Sequence, residues 1–139
     1  MPSNTGGCLC GAVRFTADWI RYQIVACHCG QCRRWAGGPF LPVATKGVHF
    51  EGEENLGRYR SSDWAERGFC KKCGSSLFYR RLDSDAYMMS AGCLDDQSGL
   101  EFARQVFIDE KPGFYDFAQK TETYTGADFF ARNPQFKGG

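Results

Sequence analysis

No stretch of this chain approaches the roughly 20 consecutive apolar residues that a membrane-crossing helix needs. Charge of one sign is lacking too, since 17 Lys and Arg stand against 16 Asp and Glu, a formal net charge of +1. That balance argues against a wrapped nucleic acid or an anionic membrane surface as a partner. Residues Met1 to Gly7 have neither the basic stretch nor the apolar core of a secretory signal. A soluble protein of a reducing, cytoplasmic compartment is therefore expected. Long helical periodicity, internal repeats and linker-like segments are missing as well. One domain over residues 1–139 is expected, long enough to bury its own core. Nothing in the sequence marks an oligomeric state.

Cysteine is what the chain has in quantity: eight residues, seven of them in C-x-C or C-x-x-C clusters. In an exported mini-protein eight cysteines would suggest a disulfide framework. Here neighbours at i and i+2 are poorly placed to bridge each other, whereas both spacings suit a metal. Cys27 and Cys29 share a side of an extended chain, and Gly30 permits the tight turn that brings Cys32 round to them. Three thiols with no evident fourth protein ligand form the pattern of an open zinc site, with one position left for water or substrate. Cys8/Cys10 and Cys70/Cys73, distant in sequence, can close a second, four-cysteine zinc site that staples two hairpins together. The rival arrangement completes the three-cysteine cluster with His49 or Cys93 and makes it structural.

Alternating apolar residues place strands over residues 11–16, 24–26, 40–45, 49–51, 56–60, 77–79, 87–90 and 105–108, with Gly47 separating two of them. Leu9 is expected to point into the core. Residues 33–39 read as a helical turn ended by glycines and proline. Many short strands with frequent turns imply a mostly β fold, a zinc-stapled β-sandwich or folded-over sheet. Tyr124, Phe129, Phe130 and Phe136 in the tail over residues 112–139 are expected to pack back on it.

Several residues carry a sharp and a bland reading. Arg33 and Arg34 follow Cys32 directly and are candidate anchors for substrate carboxylates, or solvated neutralisers of the site. Trp35 can wall a substrate pocket or sit in the core. His28 in Cys-His-Cys points away from the face its neighbours share, so a packed, hydrogen-bonded histidine is expected. His49 reads as a strand residue, Cys93 as a small buried side chain, and Asp95 and Asp96 as turn formers.

Gly7-Cys8-Leu9-Cys10-Gly11-Ala12-Val13-Arg14-Phe15, Cys27-His28-Cys29-Gly30-Gln31-Cys32-Arg33-Arg34, Phe69-Cys70-Lys71-Lys72-Cys73-Gly74-Ser75 and Ala91-Gly92-Cys93-Leu94-Asp95-Asp96 occur in this order. Together they resemble the glutathione-dependent formaldehyde-activating enzyme family, a domain also found in centromere protein V. The likeness runs over about residues 7–111; Gln105 stands where many members have histidine, and Cys93 where they often have threonine or serine. The resemblance implies a fold similar to the small zinc-containing chaperones of Rab GTPases. It also implies a structural zinc on Cys8, Cys10, Cys70 and Cys73 and a second on Cys27, Cys29 and Cys32. The implied activity is that of a carbon–sulfur lyase or synthase on a thiol adduct of a small aldehyde, such as S-hydroxymethylglutathione. A non-catalytic zinc-binding interaction module, or a thiol-rich redox or zinc sensor, is the alternative.

Overall fold

The computed structural model describes residues 4–136. In chain order its strands are β1 (Thr5–Gly7), β2 (Arg14–Ile20), β3 (Gln23–Cys27), β4 (Pro42–Glu51), β5 (Leu56–Arg60), β6 (Ala65–Cys70), β7 (Ser76–Arg81), β8 (Tyr87–Ser90), β9 (Glu101–Val106) and β10 (Glu122–Tyr124). Helix α1 (Gly30–Ala36) follows β3, and helix α2 (Gly126–Arg132) follows β10. Seven strands form an antiparallel sheet in the order β1-β2-β4-β8-β7-β6-β5. The other three form a parallel sheet, β10-β9-β3. The fold is mostly β, as the short alternating runs imply. Among the described residues no helix is long and apolar enough to cross a membrane.

The core follows from alternation along the larger sheet. Phe15 and Ala17 of β2 are buried while Thr16 between them is exposed, and Val43, Leu77, Phe78 and Met89 are wholly buried. Phe78 meets Tyr87 edge-on with ring centroids 4.8 Å apart, and Phe50 lies 5.6 Å from both. Ile24 of β3 packs against this cluster, which ties the small sheet to the large one.

Four local expectations are corrected. Gly47 does not break a strand: β4 runs through it in a left-handed conformation (φ 63°), where a side chain would collide with Asp18. The strand expected at 11–16 begins at Arg14, because residues 8–13 form a turn instead. Leu9, at the tip of that turn, is 89% exposed and not in the core. The strand expected at 105–108 lies earlier, as β9, and the chain leaves it at Phe107, itself left-handed (φ 54°). Beyond residue 110 the tail adds β10 alongside β9, and a Thr125/Asp128 capping box starts α2. Phe136 is buried and stacks on Trp64 with centroids 4.2 Å apart.

Candidate metal centre and its cavity

Two facing turns build the first cysteine cluster. In one, Cys8 N–H donates to Val13 O at 3.0 Å; in the other, Cys70 N–H donates to Ser75 O at 3.0 Å and Gly74 N–H to Cys70 O at 2.8 Å. Gly74 is left-handed (φ 79°), which lets the second turn close tightly. Backbone donors aim at sulfur: Val13 N is 3.3 Å from Cys8 Sγ and Cys73 N is 3.4 Å from Cys70 Sγ. Such bonds favour the thiolate. The Ser75 hydroxyl, 3.2 Å from Cys73 Sγ, and the Ser75 backbone N–H pull the Cys73 pKa down to about 5.

The sulfurs of Cys8, Cys10, Cys70 and Cys73 all lie within 4.8 Å of one another. Cys10 Sγ is 3.7 Å from Cys8 Sγ and 3.8 Å from Cys70 Sγ. A disulfide needs about 2.05 Å, so these are free thiols. Four sulfurs at about 2.3 Å from a central ion in a tetrahedron are about 3.8 Å apart, the spacing seen here. This cluster fits a metal ion.

The second cluster grows from the end of the parallel sheet. Cys27 is anchored by exchange of N–H···O bonds with Phe40, at 2.9 and 3.2 Å, and His28 N–H donates to Val106 O at 3.2 Å. Cys29 then caps α1, its sulfur accepting from Cys32 N–H at 3.4 Å. The turn expected of Gly30 is made by the helix start itself, and Gly30 has no left-handed conformation. The sulfurs of Cys27, Cys29 and Cys32 again lie within 4.8 Å of one another. No other His, Cys, Asp or Glu joins either cluster among the described residues.

His28, the residue after β3, is wholly buried. Its Nδ1 is 2.7 Å from the Tyr115 hydroxyl and its Nε2 is 2.7 Å from Gln105 Oε1. The Gln105 amide NH₂ donates to Thr121 Oγ1 at 3.1 Å, which leaves its oxygen to accept from His28 Nε2–H. That network assigns Nδ1 as the acceptor from tyrosine. Burial lowers the His28 pKa despite Gln105, which keeps the ring neutral.

Arg67 is the residue the sequence reading did not single out. It is 3% exposed, with Nη1 3.6 Å from Cys32 Sγ and Nη2 3.4 Å from Gln31 Oε1. Its guanidinium lies between Trp35 and Tyr79, 5.1 and 5.2 Å from their ring centroids. None of the carboxylate ion pairs among the described residues includes it. A buried cation without a counter-charge is costly, and the sulfur cluster is the anionic group beside it. Cys29 ionises first, held far below the thiol range by hydrogen bonds from the Cys27 and Cys32 sulfurs, with the Arg67 charge adding to them. The Cys27 thiol is pushed well up, by the bonds it gives to Cys29 and Cys32 and by burial. The one sequence signal for Arg67 was its i+2 spacing from apolar Ala65, which on β6 puts both side chains on the buried face.

The three sulfurs line a cavity of about 710 Å³. Arg21, Arg67, Arg81, Arg104 and Arg132 also line it, against the single carboxylate of Glu110. Arg33 and Arg34 do not: they border a separate hollow of about 300 Å³ along α1, and Arg33 Nε donates to His28 O at 2.9 Å. Trp35 lines neither; it packs edge-on against Phe40 at 5.1 Å and covers Arg67. His49 is an exposed strand residue 3.6 Å from Asp18. Cys93 is part-buried, with its thiol 3.8 Å from Ser76 O. Asp95 pairs with Arg14 and accepts from Thr5 Oγ1 at 2.6 Å, and Asp96 caps a turn through Ser98 N at 3.0 Å.

Comparison with known proteins agrees with this architecture. The family model for glutathione-dependent formaldehyde-activating enzymes matches residues 3–110. A Schizosaccharomyces pombe protein described as an uncharacterized lyase is 38% identical over 127 residues, 90% of this chain and 93% of that protein. A Halomonas elongata protein bearing the same family description is 34% identical over 85 residues, 52% of this chain and 53% of its own. The crystal structure of a Rhodobacter sphaeroides protein superposes with a TM-score of 0.59 at 20% identity, over 87% of this chain and 99% of that one. That last likeness is one of fold.

Proposed function

The chain belongs to the glutathione-dependent formaldehyde-activating enzyme family, and from that premise we propose that it makes and breaks the carbon–sulfur bond between a thiol such as glutathione and an aldehyde, as in S-hydroxymethylglutathione. One observation carries the reading: Cys27, Cys29 and Cys32 present converging sulfurs to a cavity lined by five arginines. These three would hold one zinc ion, and Cys8, Cys10, Cys70 and Cys73 a second, structural one. A zinc ion bound by the three sulfurs supplies Lewis acidity, favouring thiolate over thiol and polarising a carbonyl. A cytoplasmic, reducing setting belongs to the proposal, because these sulfurs are ligands only while reduced. So does the fold likeness to the Rab-GTPase zinc chaperones that the family implies.

The protein's own residues do the rest. Arg67 fixes a positive charge 3.6 Å from Cys32 Sγ, so negative charge at the sulfurs is balanced without reorganisation. Val25, Phe40 and Val106 line the cavity beside the cysteines and exclude water from the reacting atoms. Carboxylates of a glutathione-like thiol pair with arginines of the cavity, Arg104 and Arg81 among them. The anchoring role expected of Arg33, Arg34 and Trp35 passes to these residues, since none of the three lines the cavity. In the forward direction the thiol sulfur forms a bond to the aldehyde carbon, and the C=O π pair moves to oxygen. That oxygen takes up the proton the thiol gave, and the reverse step returns all reactants. The test is exchange NMR of glutathione with formaldehyde. Zinc-loaded protein should accelerate exchange and the Cys29→Ser variant, still folded, should not; no acceleration by the native protein overturns the proposal.

A further inference from the structure

One wall of the cavity is aromatic. Tyr79, Trp64, Phe129, Phe107 and Phe130 all line it. Their rings follow one another, with centroids 6.2 Å apart from Tyr79 to Trp64, 6.3 Å from Trp64 to Phe129, and 5.2 Å from Phe129 to each of Phe107 and Phe130. The near end of this run touches the sulfur site, because Tyr79 flanks Arg67 and Arg67 reaches Cys32. Phe136 stacks on Trp64, and the backbone of Phe107 adopts a left-handed conformation that an aromatic residue rarely takes. Gly126 N–H, at the start of the helix carrying Phe129 and Phe130, donates to Asp109 Oδ1 at 2.9 Å.

Two further observations concern the cavity as a whole. Buried Trp64 Nε1, Arg104 Nε and Gln23 Oε1 have no protein hydrogen-bond partner, and all three residues line the cavity. Buried polar atoms of a native fold are normally satisfied. Tyr124, Phe129, Phe130 and Arg132 also lie beyond residue 110, where the match to the family model ends. Trp64, Tyr79 and Phe107 lie within the matched part, so the wall draws on both.

We infer that the carbonyl-derived half of the substrate is aromatic, so that the site takes the thiol adduct of an aryl aldehyde in preference to that of formaldehyde. The inference rests on the thiol-adduct reading above and names its substrate class. In the adduct the sulfur lies at Cys27, Cys29 and Cys32, the thiol's carboxylates meet the arginines, and the aryl group lies along the rings leading to Phe129 and Phe130. Offset or edge-on ring contacts there add to the area removed from water.

Stable thioethers test this, with the S-substituent standing in for the carbonyl-derived part. Calorimetry on the zinc-loaded full chain would compare glutathione, S-methylglutathione and S-benzylglutathione. S-benzylglutathione is expected to bind about ten-fold or more tightly than S-methylglutathione, the gain typical of burying one ring. Phe129→Leu and Phe130→Leu should each shrink that ratio, with folding checked by circular dichroism. The native-protein comparison stands even where a variant fails to fold. Equal affinity for the two thioethers, or exclusion of the benzyl compound while glutathione binds, overturns the inference and leaves the thiol reading in place. Binding of none of the three overturns both.

Discussion

The two cysteine clusters share a vocabulary of C-x-C and C-x-x-C spacing, yet they face different surroundings. Cys8, Cys10, Cys70 and Cys73 come from two turns that meet face to face, and four sulfurs close around one point. None of the four lines the large cavity. Cys27, Cys29 and Cys32 come from a single strand-to-helix junction, and what lies next to them is a buried arginine and an open volume. Spacing alone groups sulfurs. Whether the group is a staple or a reaction centre depends on what the rest of the fold leaves beside it.

The sharpest way to break this contrast is to remove one sulfur from each cluster. Cys70 is wholly buried, and its cluster links turns some 60 residues apart, Cys10 to Cys70. Cys70→Ser should give unfolded or insoluble protein, because metal binding at such a site is folding free energy. Cys29→Ser should keep its circular dichroism and thermal transition and lose one metal of two. Equal unfolding of the two variants would erase the distinction.

The next largest effect should come from Arg67. Removing one partner of a buried charge pair typically costs about 3–5 kcal/mol. Arg67→Met should therefore weaken zinc at the three-sulfur site by a hundred-fold or more in chelator competition, and leave the four-sulfur site unchanged. Arg67→Lys keeps the charge but loses the flat contact with Trp35 and Tyr79, and should fall between. Loss at both sites together would mean that Arg67 supports the fold and not the second cluster.

Arginines on the cavity can be set against those beside it. Arg104→Ala should lower glutathione affinity by about ten- to a hundred-fold, as loss of a charge-assisted hydrogen bond of about 1.5–3 kcal/mol implies. Arg33→Ala with Arg34→Ala should change it by less than about two-fold, the scale of an exposed charge. The reverse ranking would move the thiol's carboxylates to the other side of α1.

Much of this was legible in the sequence, because alternation and cysteine spacing are local signals. The strand at Leu56–Arg60 and the two sulfur groups could be read from neighbouring residues, whereas the helical turn expected over 33–39 is α1, which starts three residues earlier and takes in Cys32. What was not legible depends on partners distant in the chain. Arg67 is buried only because Trp35 and Tyr79 close over it, from 32 residues before and 12 after. Arg33 and Arg34 adjoin Cys32 in sequence, but the helix turns them away from the cavity. Leu9 misled because an alternating pattern was read through a tight turn, where alternation does not apply.

The smallest expected effect concerns the ion pair beside the four-sulfur cluster. Arg14, next to the 8–13 turn, pairs with Asp95 through both terminal guanidinium nitrogens, and Asp95 also accepts from Thr5 Oγ1. Arg14 first, and Thr5 next, hold the Asp95 carboxyl below its ordinary value of 3.8. A carboxyl whose pKa is lower folded than unfolded stabilises the fold above the unfolded value, and that contribution is lost as pH falls through the folded one. Both partners are substantially exposed, so the pair is worth about 0.2–1 kcal/mol, well short of either cysteine change. Asp95→Asn should lower the melting temperature by a few degrees at pH 7, and the difference from native protein should close as pH drops below about 3.8. The two proteins are compared at matched metal content at each pH, because acid releases metal from thiolates. The variant should also surrender metal from the four-sulfur site slightly sooner, while the three-sulfur site keeps its affinity. A gap that stays constant to pH 3 would mean the ion pair contributes nothing and that Thr5 and packing hold the turn. A change at the three-sulfur site instead would mean the two clusters are coupled through the sheet, and the staple and the reaction centre would no longer be separable parts.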